Sequence, residues 1–175
     1  MKIIFLSFII LTSFLFAEMQ TNTQILFPFT GFELSSGILA TKNINEGFLQ
    51  YSVLGGLIVK PKHQDNVYKL TAIYSSFNKN KIKSYNFLID KLFIDVSPIQ
   101  TFLGLGFGLE TMDLYEDALS YSLSARMGFD YYFSKNIFTD FVINMGLSTP
   151  IPSFSNTDYD FLGNIACGLS LNYKF

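Results

Sequence analysis

The sequence predicts an all-β fold: an eight-stranded antiparallel up-and-down transmembrane β-barrel, preceded by a cleaved signal peptide. Three observations carry the prediction. The first is the segment 119–133, LSYSLSARMGFDYYF. Every second residue from Leu119 is apolar or aromatic, and the intervening set is Ser120, Ser122, Ser124, Arg126, Gly128, Asp130 and Tyr132. Successive side chains of a strand point to opposite faces, so one face is free of charge and the other is small, polar and charged. A strand with its apolar face outward in lipid and its polar face in a narrow lumen has this pattern. The second observation is composition. Hydrophobic residues make up 49% and charged residues 15% of the 175 residues, with 20 Phe, 10 Tyr and no Trp. Soluble domains carry about 25% charge, and an aromatic excess suits strands and interfacial girdles. The third is repetition: alternation recurs along the chain, and no segment has a convincing helical period.

Residues 1–17 (MKIIFLSFIILTSFLFA) read as a secretory signal peptide: Lys2, an apolar run too short for a membrane anchor, and a small residue before Glu18. Cleavage after Ala17 would take the net charge from −2 to −3. Residues 18–29 form a short lead-in, and the barrel occupies 30–175.

The first strand, 30–40, places Phe32, Leu34 and Ile38 outward and Glu33, Ser35 and Gly37 inward. Residues 41–46 are a loop. The second strand, 47–59, has Leu49, Tyr51, Val53, Leu57 and Val59 on one face, and Pro61 marks the following turn. The third, 67–77, sets Tyr68, Leu70, Ala72 and Tyr74 against inward Lys69 and Thr71. The fourth, 82–96, breaks parity: Tyr85, Phe87 and Ile89 belong to one set, Leu92, Ile94 and Val96 to the other. A β-bulge near Asp90 and Lys91 would return both sets to the lipid side. The fifth, 100–111, puts Thr101, Leu103, Leu105, Phe107 and Leu109 outward and Gly104, Gly106 and Gly108 inward. The sixth is the segment described first, and Ser134-Lys135 is read as a two-residue turn. The seventh, 136–147, has Ile137, Phe141, Ile143, Met145 and Leu147 outward and Asp140, Asn144 and Gly146 inward. Residues 148–161 are the longest connection, with Pro150 and Pro152 opposing regular pairing. The eighth, 162–175, carries Ile165, Cys167, Leu169, Leu171, Tyr173 and Phe175 outward. Each segment meets the roughly 9–11 residues a tilted strand needs to cross a bilayer. With the N-terminus in the periplasm, the connections after the first, third, fifth and seventh strands face outside.

At Phe175 the sequence reaches a recognisable ending. LSLNYKF, with Leu169, Leu171, Tyr173 and a terminal Phe175 in alternation, resembles the C-terminal assembly signal of bacterial outer-membrane barrels. The run FLGLGFGLET, followed by SLSARMGFDYYFSKNIFTDFVINMG, resembles the last half of the small OmpA/opacity-type barrel family. The resemblance covers about residues 32–175 and concerns the barrel domain only, so it implies no anchoring to peptidoglycan. It implies residence in the outer membrane of a Gram-negative cell, outer-membrane lipid and lipopolysaccharide as surroundings, and recognition by the barrel-assembly machinery through the last strand. An extracellular ligand would be met by the external loops.

The net charge of −2, with no basic patch, argues against nucleic acid. The alternating Gly104, Gly106 and Gly108 are followed by no helix, so they make room in a narrow lumen rather than cradle a phosphate. The inward charges Glu33, Lys69, Arg126, Asp130 and Asp140 form an interior polar network, structural or gating; buried charges must be paired and hydrogen-bonded. His63, the only histidine, falls in a periplasmic turn, away from the outer leaflet where lipid-modifying barrels of this type place their catalytic groups, so no enzyme is expected. Asp113, Glu116, Asp117, Asp158 and Asp160 lie in external loops with no calcium-loop spacing. No cofactor, metal or catalytic residue is expected. The functional expectation is a structural or surface-interaction barrel; the alternatives are a narrow channel for ions or small apolar solutes, a lipid-modifying enzyme, and a secreted lipocalin-like barrel, whose apolar inside would invert the pattern of Arg126, Asp130 and Asp140.

Overall fold

The structure, a computed structural model, describes residues 23–40, 45–61, 66–77, 82–96, 98–112, 118–151 and 162–175. Its eight strands are β1 (Thr23–Ala40), β2 (Asn45–Pro61), β3 (Val67–Phe77), β4 (Ile82–Val96), β5 (Ile99–Met112), β6 (Ala118–Tyr132), β7 (Ile137–Pro150) and β8 (Leu162–Lys174). Each pairs antiparallel with its sequence neighbour, and β1 pairs with β8 to close the barrel. Closure removes the free edges that lipid could not satisfy.

The pairing register fixes the shape. Starting at Gln100, directly paired residues lead through Asp130, Asp140, Ser170, Glu33, Ser52, Ser75 and Ser84 back to β5 at Glu110. The row returns ten residues further along the strand. That offset tilts the strands by about 40° and leaves an eight-stranded lumen only wide enough for side chains.

Parity is observed as expected over most of the wall. Phe32, Tyr121, Leu147 and Leu171 are all more than half exposed, while inward Ser120, Asp130 and Phe138 are fully enclosed. A continuous belt of large apolar side chains on every strand is far beyond the patch a soluble protein exposes. It is the surface of a transmembrane barrel. Aromatic contacts line it: Tyr74 lies 5.1 Å from Tyr85, and Phe129 stacks on Phe141 at 5.5 Å.

Five details depart from the sequence reading. β1 begins at Thr23, not at residue 30, because Phe27 and Phe29 pack inward and the chain already pairs with β2. Pro28 is tolerated there since β8 has ended: its carbonyl accepts from the Phe175 N–H at 2.9 Å. In β4 the register shift lies between Leu92 and Ile94, not at Asp90 and Lys91. Asp90 and Leu92 therefore point inward, Leu92 packing with Phe102 and Val142, while Phe93 is 57% exposed. Pro150 ends β7 paired with Ser120 rather than opening an irregular stretch. Val59 and its partner Tyr68 share the outward parity yet are buried.

The last departure is the β6–β7 connection, which spans Phe133–Asn136 rather than two residues. The Phe133 N–H donates to the Ile137 carbonyl at 3.0 Å, and the Ser134 hydroxyl oxygen accepts from the Ile137 N–H at 3.1 Å. Asn136 then ties down the end of β8, accepting from the Lys174 N–H at 2.7 Å and donating through Nδ2 to the Lys174 carbonyl at 2.8 Å. The expected signal peptide, His63 and the loop acids Asp113, Glu116, Asp117, Asp158 and Asp160 lie outside the described residues.

Candidate functional site in the closed lumen

The lumen divides into layers. The end that carries Phe133–Asn136 and the C-terminus is the lower end. There Phe27, Phe29, Ile58, Val67, Tyr132 and Phe138 close the bore, together with Leu54, Ile73 and Leu88 higher up. Phe29 meets Phe138 edge-on at 5.7 Å, and Tyr132 stacks on Phe138 at 5.1 Å. At the upper end Leu39, Phe48, Ile82, Leu162 and Ala166 form a second apolar cluster. Both clusters arise from the inward parity, which turns apolar toward the strand ends and, at Leu54, Ile73 and Leu88, within the strands as well.

Above the lower closure sits an ion-pair layer. Asp130 on β6 and Asp140 on β7 are direct cross-strand partners. Lys69 on β3 reaches across the bore to both, its Nζ 2.8 and 3.1 Å from the two Asp130 oxygens and 3.1 Å from Asp140 Oδ2. The ammonium also lies 4.4 Å from the centre of the Phe102 ring, a cation–π contact that gains strength in a dry site. Arg126 on β6 shares that ring at 5.1 Å and pairs with Asp90 on β4, Nε to Oδ1 at 3.4 Å. Glu33 stands within the electrostatic reach of Arg126. Room for the Asp90 carboxylate comes from Gly104, which lies between Asp90 and Arg126 in the pairing; a Cβ there would overlap Asp90 Oδ1.

Between this layer and the upper closure lies a hydroxyl layer. Ser52 and Ser75 share a hydrogen bond at 2.9 Å, and Gln50 Nε2 donates to both. The Ser122 hydroxyl donates to Asn86 Oδ1 at 2.7 Å, and Asn86 Nδ2 donates to Ser84. Glu110 sits among them, accepting from Ser148 at 2.5 Å and from Ser84 at 3.4 Å.

All five network residues read from the sequence, Glu33, Lys69, Arg126, Asp130 and Asp140, are buried in the lumen. Lys69, Asp130 and Asp140 meet directly, and Arg126 takes a different partner. That partner, Asp90, and the enclosed Glu110 are absent from the sequence reading. Both were findable: Asp90 has the parity of Ser84 and Asn86, and Glu110 that of Gly104, Gly106 and Gly108. The bulge assigned at Asp90 hid the first. Leu169, Leu171, Tyr173 and Phe175 stand on the outer face of β8, and Phe175 contacts Tyr173 at 5.1 Å. Cys167 is exposed to the same side. Among the described residues no cluster of three or more His, Cys, Asp or Glu is arranged to hold a metal ion.

No protein-family model matches the sequence, and no curated protein does. Solved structures do. The chain superposes on Neisserial surface protein A with a TM-score of 0.61 at 15% identity, over 85% of this chain and 97% of that one. Ail, the attachment invasion locus protein of Yersinia pestis, in complex with the heparin analogue sucrose octasulfate, gives 0.49 at 10% identity over 86% and 97%. The outer membrane protein OprG from Pseudomonas aeruginosa gives 0.37 at 13% identity over 89% and 98%. The chain has the fold of the small eight-stranded outer-membrane barrels.

Proposed function

We propose that the protein is a non-conducting scaffold of the Gram-negative outer membrane whose external loops carry its interactions, with other envelope components, another cell or a host surface. The observation that supports this reading is the lumen, which is closed by apolar clusters at both ends and filled between them by Lys69, Asp90, Arg126, Asp130 and Asp140. A rigid barrel with a filled core leaves recognition to its loops. The reading is non-enzymatic, since the acids of the ion-pair layer are buried and engaged by Lys69 and Arg126. Outer-membrane lipid and lipopolysaccharide would cover the belt. The outward Leu169, Leu171, Tyr173 and Phe175 would present the last strand to the barrel-assembly machinery.

One observation favours a second reading, a narrow channel: Glu33 Oε2, both Asp90 oxygens and Asn144 Oδ1 accept no hydrogen bond and line the middle of the bore. Planar bilayers separate the two. Folded wild-type protein and Arg126→Ala are expected to give no discrete current steps. Openings in the wild type whose size changes in Arg126→Ala would replace the scaffold reading with a channel.

A further inference from the structure

Outside the lumen the charges sort by end. The segments that meet at the lower end carry Lys60, Lys62, Lys91, Lys135 and Lys174 against Asp65 and Asp95, whereas those at the upper end carry six acids against four lysines. The described acid side chains of the lower half, Asp90, Asp130 and Asp140, offer the wall lysines nothing. They are enclosed in the lumen and paired there with Arg126 and Lys69.

Two of the lower lysines bracket one patch of the belt. On β4, Lys91 has outward parity, and its Nζ lies 5.5 Å from the centre of the Phe93 ring, two residues nearer the lower end. The side chain therefore runs down the wall and carries its ammonium toward the edge of the lipid. Phe93 is more than half exposed. On β5 the exposed Ile99 pairs with Tyr131 of β6. Tyr131 meets Phe133 edge-on at 5.0 Å, and Phe133, also more than half exposed, opens the hydrogen-bonded turn that presents Lys135 to solvent.

Aromatic rings at the edge of an apolar belt sit at the level of lipid headgroups, and lysines beside them reach the phosphates. Lysines close to a membrane surface favour negatively charged lipid. A zwitterionic headgroup brings its own cation, which the lysines repel. An anionic one brings the charge that this patch lacks, and the acid-rich upper end offers no such complement.

We propose that the lower wall over β4, β5 and β6 is a binding site for an anionic phospholipid of the phosphatidylglycerol type. Lys91 and Lys135 draw its phosphate, and Phe93, Ile99 and Phe133 receive its chains. The site goes beyond the loop-borne role and is independent of whether the lumen conducts.

The test is to fold the full chain into nanodiscs of equal parts phosphatidylglycerol and phosphatidylcholine, release it, and count retained lipids by native mass spectrometry. Wild type is expected to keep phosphatidylglycerol over phosphatidylcholine by at least about fivefold, the worth of one lysine at a charged surface. Lys91→Gln with Lys135→Gln should bring the ratio close to one, and Lys83→Gln, at the upper end of β4, should leave it unchanged. Equal retention in wild type overturns the site, as does a preference that survives the double substitution or falls equally in Lys83→Gln. Lipid-free dimers that vanish in the double variant would assign the patch to a second copy of the chain instead. If the double variant does not fold, wild type in rising salt decides: the preference should fade as the charges are screened, and one that salt leaves intact is equally fatal.

Discussion

The lower and upper layers of the lumen confront the same problem, polar groups held out of water, with different chemistry. One row of paired residues runs through both, Asp130 and Asp140 at its lower turn, Ser84 and Glu110 at its upper. The lower layer sets charge against charge: Lys69 bridges two aspartates and Arg126 pairs with Asp90. The upper layer surrounds a single carboxylate with small hydroxyls. The difference teaches what each layer tolerates. A buried ion pair adds little net stability but is costly to break from one side. A hydroxyl network loses its members one hydrogen bond at a time.

Substitutions can break or sharpen that contrast. The largest effect is expected at Gly104, whose missing side chain makes the Asp90–Arg126 pair possible. Gly104→Leu should yield no folded, heat-modifiable species in detergent. Gly163→Ala, where a Cβ meets only ordinary contacts at 3.6 Å from the Ala40 carbonyl, should fold as wild type. Next comes Lys69→Met, which strands Asp130 and Asp140 together. A loss of about 3–5 kcal/mol in urea unfolding is expected, recovered in part by adding Asp130→Asn. A Lys69→Met barrel as stable as wild type would mean that the ion-pair layer is held by packing alone. Smallest is Ser148→Ala, which removes one donor to Glu110 and should cost about 1–3 kcal/mol in the same measurement. If it matched Lys69→Met, the two layers would not differ in kind.

The wall was largely legible in the sequence because a strand's period is two and lipid rewards it on one side only. β6 shows this: Leu119 to Phe133 alternates without a fault, and the structure places every member of both sets as read. β4 was less legible. A bulge changes parity without changing composition, so Leu92, Ile94 and Val96 fitted a shift at Asp90 as well as one at Phe93. Only the partner strands β3 and β5 decide: Asp90 pairs with Lys69 and Gly104, and the offset follows Leu92. The site was half legible. Inward charges announce themselves by parity, but which acid meets which base depends on the stagger of strands distant in the chain. Lys69 and Asp130 are 61 residues apart and meet only because β3 and β6 face each other across the bore.

By itself the sequence determined the fold class of this protein and, outside β4 and the Val59–Tyr68 pair, the direction its side chains face, since both follow from a local two-residue period and from how much charge a lipid-facing surface accepts. The tertiary structure alone decided the ten-residue stagger, the two apolar closures and the partners of each buried charge. Those depend on closing the sheet on itself, where one shift of register moves every inward group to a new neighbour.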